Sequence, residues 1–117
     1  MIGADFIKAC AAAYAWREGH KNGFNGMLGV LFTLRNRSGA NSDWLTPIGE
    51  QTNPGSYPDI REPEFQRLLQ WVDAVYDGTA EDKITNGATC FFDHTWEEKP
   101  PNNVERCATV GTLTFYK

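Results

Sequence analysis

Met27, Val30, Leu31 and Leu34 recur at i, i+3, i+4 and i+7. That spacing lines apolar side chains along one face of an α-helix and obliges the rest of the chain to cover it. The helix is expected to open after Gly26 and to end in Arg35, Asn36 and Arg37, with Ser38 and Gly39 as the stop. A helix before it starts at Asp5 as N-cap and runs through FIKACAAAYAW, with Phe6, Cys10, Ala13 and Trp16 or Arg17 in one stripe. A helix after it has Pro63 in its first turn, carries Phe65, Leu68, Leu69, Val72 and Tyr76 on its apolar face, and closes at Asp77 and Gly78. With 117 residues, the chain is expected to form one domain over residues 1–117, large enough to bury a core without metals or many disulfides.

The period changes in the last third. ATCFF and TVGTLTFY are rich in Thr, Phe and Tyr, and in the second run Leu113 and Phe115 alternate with Thr112, Thr114 and Tyr116, as in a half-buried strand. DHTWEEKPPNNVER between them is too long for a tight hairpin. Residues 39–62, with three prolines and three glycines, show no sustained period. A loop of that length inside a domain is expected to have a task, here as one wall of a cleft. The fold class that follows is α+β, helices first and a small C-terminal antiparallel sheet last.

A formal net charge of −4 disfavours a nucleic-acid partner. The charge is uneven: residues 1–42 carry +3 and the remainder −7, which fits either a cleft for an anionic polymer or an uneven solvated surface. Aromatic residues make up 13% of the chain, enough to serve either sugar contacts or a ring-packed core. No apolar run approaches a membrane span. The opening MIGADFIKAC lacks the basic start and apolar stretch of a signal peptide, so the protein is expected either to be made without one or to have been trimmed. Of three cysteines, Cys10 lies among alanines and reads as core, while Cys90 and Cys107 flank a loop that a disulfide would close. Cys90, His94 and Cys107 offer metal donors without a CxxC pair or a fourth ligand, so no metal or cofactor is expected. His20 and His94 read as polar surface or loop residues, with the sharper reading that one of them lines a cleft. None of the cysteines has a base beside it in sequence to make it a nucleophile.

Acid chemistry is left. Glu18 follows the run AYAWR and precedes a glycine-rich segment, on the same helix face as Tyr14. A helix C-terminus disfavours negative charge, and apolar flanks favour the uncharged acid, which together suit a proton donor. The plain alternative is a solvated helix end.

The segment from Glu18 through GMLGVLFTLRNR resembles the SleB-type cell wall hydrolases, the family of spore cortex-lytic enzymes. In that family a catalytic Glu closes one helix, and a short loop leads to a Gly-led apolar helix ending in Asn-Arg. Glu18, Gly26, Asn36 and Arg37 fall at that spacing. Gln51 in IGEQT resembles the Gln of the family's QFS element, Gly87 to Phe92 its Gly-Ala strand, Trp96 the Trp that follows, and VGTLTFYK its closing Ile-Gly-x-His-x-Phe-Tyr pattern. The resemblance runs from about residue 9 onward. The chain departs from it where EARGE reads EGHKN, where QFS reads Gln51, Thr52, Asn53, and where Leu113 replaces the His.

The resemblance implies a lysozyme-like or lytic-transglycosylase-like domain that cleaves the β-1,4 bond between N-acetylmuramic acid and N-acetylglucosamine in peptidoglycan. It implies a monomer acting at the cell wall, outside the cytoplasm, on peptidoglycan glycan strands. Glu18 would be the proton donor. Asn36, Gln51 and Tyr116 would make polar contacts to the sugar, and Tyr57, Phe92 and Trp96 would stack on it; Phe92 fits a core equally well, and Asn36 a helix cap. With no acid obviously paired with Glu18, the expected product is a 1,6-anhydromuramic end. Asp43, Glu50, Asp59 and Asp93 are the candidates to activate a water if the outcome is hydrolysis instead. The alternatives are a glycan-binding module without catalysis, which would use the same aromatic loops, and a structural or assembly protein such as a phage tail component that touches the cell wall.

Overall fold

The computed structural model describes residues 4–38, 61–100 and 102–117. Gln51, Tyr57, Asp43, Glu50 and Asp59, and the long irregular segment expected to wall a cleft, lie outside the described residues, apart from the turn at 61–62. The described chain is α+β, helices first: α1 (Ala4–Gly19), a short 3-10 turn (His20–Asn22), α2 (Gly23–Ser38), α3 (Pro63–Tyr76), then β1 (Cys90–Asp93), β2 (Arg106–Val110) and β3 (Leu113–Tyr116).

Helix α1 is buried through small side chains. Cys10, Ala11, Ala12, Ala13 and Ala15 are at most 4% exposed, and short side chains let neighbouring helix backbones come close. The closest approach is at Gly19 and Gly26, where a methyl group added to Gly26 would stand 2.6 Å from the Gly19 carbonyl oxygen. The glycines of this stretch therefore serve a helix crossing. The chain between α1 and α2 is shorter than the expected loop, because α2 begins at Gly23, before Gly26. Gly23, at φ 80, makes the corner between the 3-10 turn and α2.

Helix α3 keeps its expected span and stop: Phe65, Leu68, Val72 and Val75 are buried, and Gly78 follows at φ 76. Lys8 of α1 reaches Asp73 of α3 at 2.7 Å. Met27, Val30, Leu31 and Leu34 of α2 fill the centre, and the sheet is laid against α2 where the Phe115 ring occupies the space that a side chain at Gly29 would take.

The sheet has the order β1-β3-β2, antiparallel throughout. TVGTLTFY is two strands and not one, since Gly111 (φ 59) and Thr112 turn the chain between β2 and β3. The expected alternation in β3 is also lost: Leu113, Thr114 and Phe115 are all buried, with β3 in the middle of the sheet and the Thr114 hydroxyl hydrogen-bonded to the His94 ring.

Cys90 and Cys107 are both free thiols, contrary to the bridge that the sequence allowed. Cys90 is in β1 and Cys107 in β2, and β3 runs between those strands. Two strand spacings, about 9.5 Å, exceed the Cα separation of about 7 Å that a disulfide tolerates.

One polar knot fixes the connection from α3 to β1. Asp82 accepts hydrogen bonds from the backbone N–H groups of Ile84, Thr85 and Gly87, from the Thr85 hydroxyl and from the Asn36 amide. Burial pushes its carboxyl pKa up, but those hydrogen bonds outweigh it and the net direction is down.

Candidate functional site

An open cleft of about 600 Å³ is lined by Tyr14, Glu18, Trp96, Glu97 and Glu98. One wall is the C-terminal half of α1, and the spacing that puts Tyr14 and Glu18 on one helix face brings both into the cleft. The other wall is the segment that follows β1. Thus Glu18 and Trp96, both expected at a sugar site, share one cleft.

The Glu18 side chain is 21% exposed, and its Oε1 accepts a hydrogen bond from Arg17 Nε at 3.2 Å. Arg17, whose direction the sequence left open, therefore pairs with its own neighbour while its guanidinium lies 5.3 Å from the centre of the Tyr14 ring. The Tyr14 phenol is pushed above its ordinary pKa, first by burial and then by the charge of Glu18. It stays protonated at neutral pH and can donate a hydrogen bond into the cleft.

Trp96, at 38%, is the exposed large hydrophobic side chain among the described residues. Its ring is held from behind, with Phe92 at 5.3 Å edge-on and Phe91 at 6.1 Å. Phe92 itself is 5% exposed and packs between Trp96 and His94. It supports the stacking ring from below and presents no face of its own to the cleft.

Asn36 does not join this group. Its amide donates to Asp82 Oδ2 and to the Ala88 carbonyl oxygen, both at 3.0 Å, and it lines a separate hollow of about 320 Å³ with Phe32, Arg35 and Asp82. Tyr116 closes β3 opposite Cys90 and Arg106 and is not among the residues lining the Glu18 cleft.

Asp93, a candidate to activate water, is 1% exposed and fully engaged. Its carboxylate accepts from Lys21 Nζ at 2.6 Å, from the Thr95 backbone N–H at 2.9 Å and from the Thr95 hydroxyl at 2.7 Å. Burial raises its carboxyl pKa, but bonds from Lys21, Thr95 and Thr112 outweigh that and hold it far below the usual carboxylate range. The acids that do face Glu18 across the cleft are Glu97 and Glu98, which sequence reasoning passed over. Their adjacency to Trp96 was the available signal. Lys21 was missed as well, and nothing local marks it, since its partner Thr95 is 74 residues away.

Among the described residues, no group of three or more His, Cys, Asp or Glu is placed to hold a metal ion, and no helix is long and apolar enough to cross a membrane. What this arrangement provides is a carboxyl group, a neutral phenol donor and an exposed indole on facing walls of an open groove. Such a set can offer a polar ligand hydrogen bonds and a flat apolar face. No protein-family model matches this chain, and no curated protein and no solved structure matches it either.

Proposed function

We propose that this protein cleaves peptidoglycan glycan strands at the β-1,4 bond between N-acetylmuramic acid and N-acetylglucosamine, within a lysozyme-like or lytic-transglycosylase-like domain, with Glu18 as proton donor. The observation that carries the reading is the half-buried Glu18 carboxyl in a cleft with Tyr14 and the exposed Trp96. The sequence resemblance to SleB-type hydrolases gives the same residue the same role.

In the proposed step Glu18 gives its proton to the glycosidic oxygen and the bond from that oxygen to the muramic C1 breaks through an oxocarbenium-like transition state. Arg17, 3.2 Å away, balances the charge left on Glu18. The Glu18 carboxylate then takes the proton of the sugar's own C6 hydroxyl as that oxygen closes on C1, giving a 1,6-anhydromuramic end and restoring the acid. Trp96 offers a flat apolar face to a sugar ring, and Tyr14 a hydrogen bond.

A second reading, hydrolysis, is favoured by one observation: Glu97 and Glu98 line the same cleft as Glu18. Either would serve as the base that activates a water against C1, as in glycosidases that use two carboxylates.

Digestion of purified peptidoglycan by the wild type and by Glu18→Gln, with the released muropeptides read by mass spectrometry, separates these outcomes. Anhydro-muropeptides from the wild type, reduced by about a hundredfold or more in Glu18→Gln, are the expected result. Hydrated reducing ends would assign hydrolysis and direct attention to Glu97 and Glu98. Retained binding to cell walls with no release from either protein would overturn the enzyme in favour of a glycan-binding module.

A further inference from the structure

The two walls of the cleft come from distant parts of the chain. Glu18 belongs to α1, whereas Trp96, Glu97 and Glu98 follow β1. A site divided in this way works only if something fixes the gap between its halves, because a misplacement of about 1 Å costs on the order of a hundredfold in rate.

Two struts tie the two parts of the chain together, and both start in the 3-10 turn that follows Glu18. Lys21 Nζ bonds Asp93 Oδ2 at 2.6 Å and the Thr95 hydroxyl at 2.8 Å. Asn22 Oδ1 accepts from the Thr112 backbone N–H at 2.8 Å and from its hydroxyl at 3.1 Å. On the far side, Asp93 Oδ1 accepts from the Thr95 backbone N–H, and the Trp96 N–H donates to the Asp93 carbonyl oxygen at 3.0 Å. The ion pair therefore ends three residues before the exposed indole, and the Lys21–Thr95 hydrogen bond ends on the residue directly before it. Its two members differ in burial: the Lys21 side chain is 52% exposed and that of Asp93 is 2% exposed. Without the ammonium group, Asp93 would be a buried carboxylate lacking its counter-charge.

Resting on the reading of Glu18 as the proton donor, we infer that Lys21 is the positioning residue of this site, clamping the turn that carries Trp96 to the helix that carries Glu18 through Asp93 and Thr95. Lys21 is not among the residues lining the cleft. It acts by setting the distance between the stacking ring and the acid.

The test combines amide hydrogen exchange with kinetics on Lys21→Met, Lys21→Arg and Thr95→Val, at a temperature where each is folded. Thr95→Val keeps the ion pair and removes one acceptor of Lys21, so it reports even if Lys21→Met folds poorly. In Lys21→Met the Thr95 and Trp96 amides should exchange about tenfold faster while those of α3 stay unchanged, and kcat/KM on glycan strands should fall about tenfold or more. Thr95→Val should shift both in the same direction by less, and Lys21→Arg should restore most of the loss. A Lys8→Met control breaks the Lys8–Asp73 pair, whose residues do not line the cleft, and should leave Thr95 and Trp96 protected.

Unchanged exchange at Thr95 and Trp96 in Lys21→Met overturns the clamp whatever the activity. So does acceleration spread equally over α3, which marks a global role, or an unchanged kcat/KM in an active protein. A wild type that releases no glycan overturns the proposed activity alone, and the exchange pattern still decides whether Lys21 holds the two walls together.

Discussion

Trp96 keeps more than a third of its surface open although Phe91 and Phe92 stand beside it. A large apolar ring held rigid and left in water loses little freedom on stacking against a sugar, which is why such rings serve as binding platforms. Trp96→Ala should weaken glycan binding by about 1–2 kcal/mol, seen as a KM raised about five- to thirtyfold with a smaller change in kcat. Glu18→Gln should show the opposite split, a collapse of kcat with binding kept. Asn36 illustrates the reverse error. Its place in the Asn-Arg helix end suggested a sugar contact, yet its amide is committed to Asp82 and the Ala88 carbonyl. Asp82 offered no motif, because the bonds that converge on it come mainly from backbone groups of its own turn.

At the level of elements, the crossing of α1 and α2 decides where the cleft lies. Gly19 and Gly26 meet backbone to backbone, so the turn after Glu18 is drawn against the start of α2. In Gly26→Ala the added methyl group collides with main-chain atoms that cannot rotate away. A loss of about 1–3 kcal/mol is expected, a fall in Tm on the order of 5–15 °C, measured by calorimetry. Gly23→Ala meets open space, but φ 80 with ψ −174 is a conformation that only glycine adopts readily, so its cost should be about 1–3 kcal/mol, from backbone strain alone. Helical period revealed α2 and α3 because each has a continuous apolar stripe. The hairpin of β2 and β3 was hidden inside what looked like one strand, since a Gly-Thr turn flanked by Val and Leu blends with the pattern around it.

Across the whole molecule, two carboxylates hold the second half of the chain in place. Asp82 anchors the connection before β1 to α2, and Asp93 anchors the turn after β1 to the 3-10 turn. Both have pKa values below the ordinary carboxylate value. For a depressed acid the folded state binds fewer protons than the unfolded chain. The stabilisation is thus present above the unfolded value, about pH 3.9, and is lost as pH falls through the folded one. Thermal melts should show Tm dropping steeply below about pH 4. Asp93→Asn should melt lower at neutral pH but lose less on acidification, because the group that must be protonated is gone.

Local sequence alone determined the elements whose signals are local: the apolar stripes of α2 and α3, the Pro63 start and the Gly78 stop, the placing of Tyr14 and Glu18 on one helix face, and the order of helices before strands. These follow from period and backbone chemistry, which neighbouring residues set between themselves. Tertiary structure decided what depends on residues far apart in the chain. It set Glu97 and Glu98 opposite Glu18, turned Asp93 from a candidate base into a buried anchor for Lys21, moved Asn36 to another hollow, and put β3 between Cys90 and Cys107. No spacing in the sequence encodes these contacts, because each is the sum of a helix crossing, a strand order and a turn geometry that exist only once the core has packed.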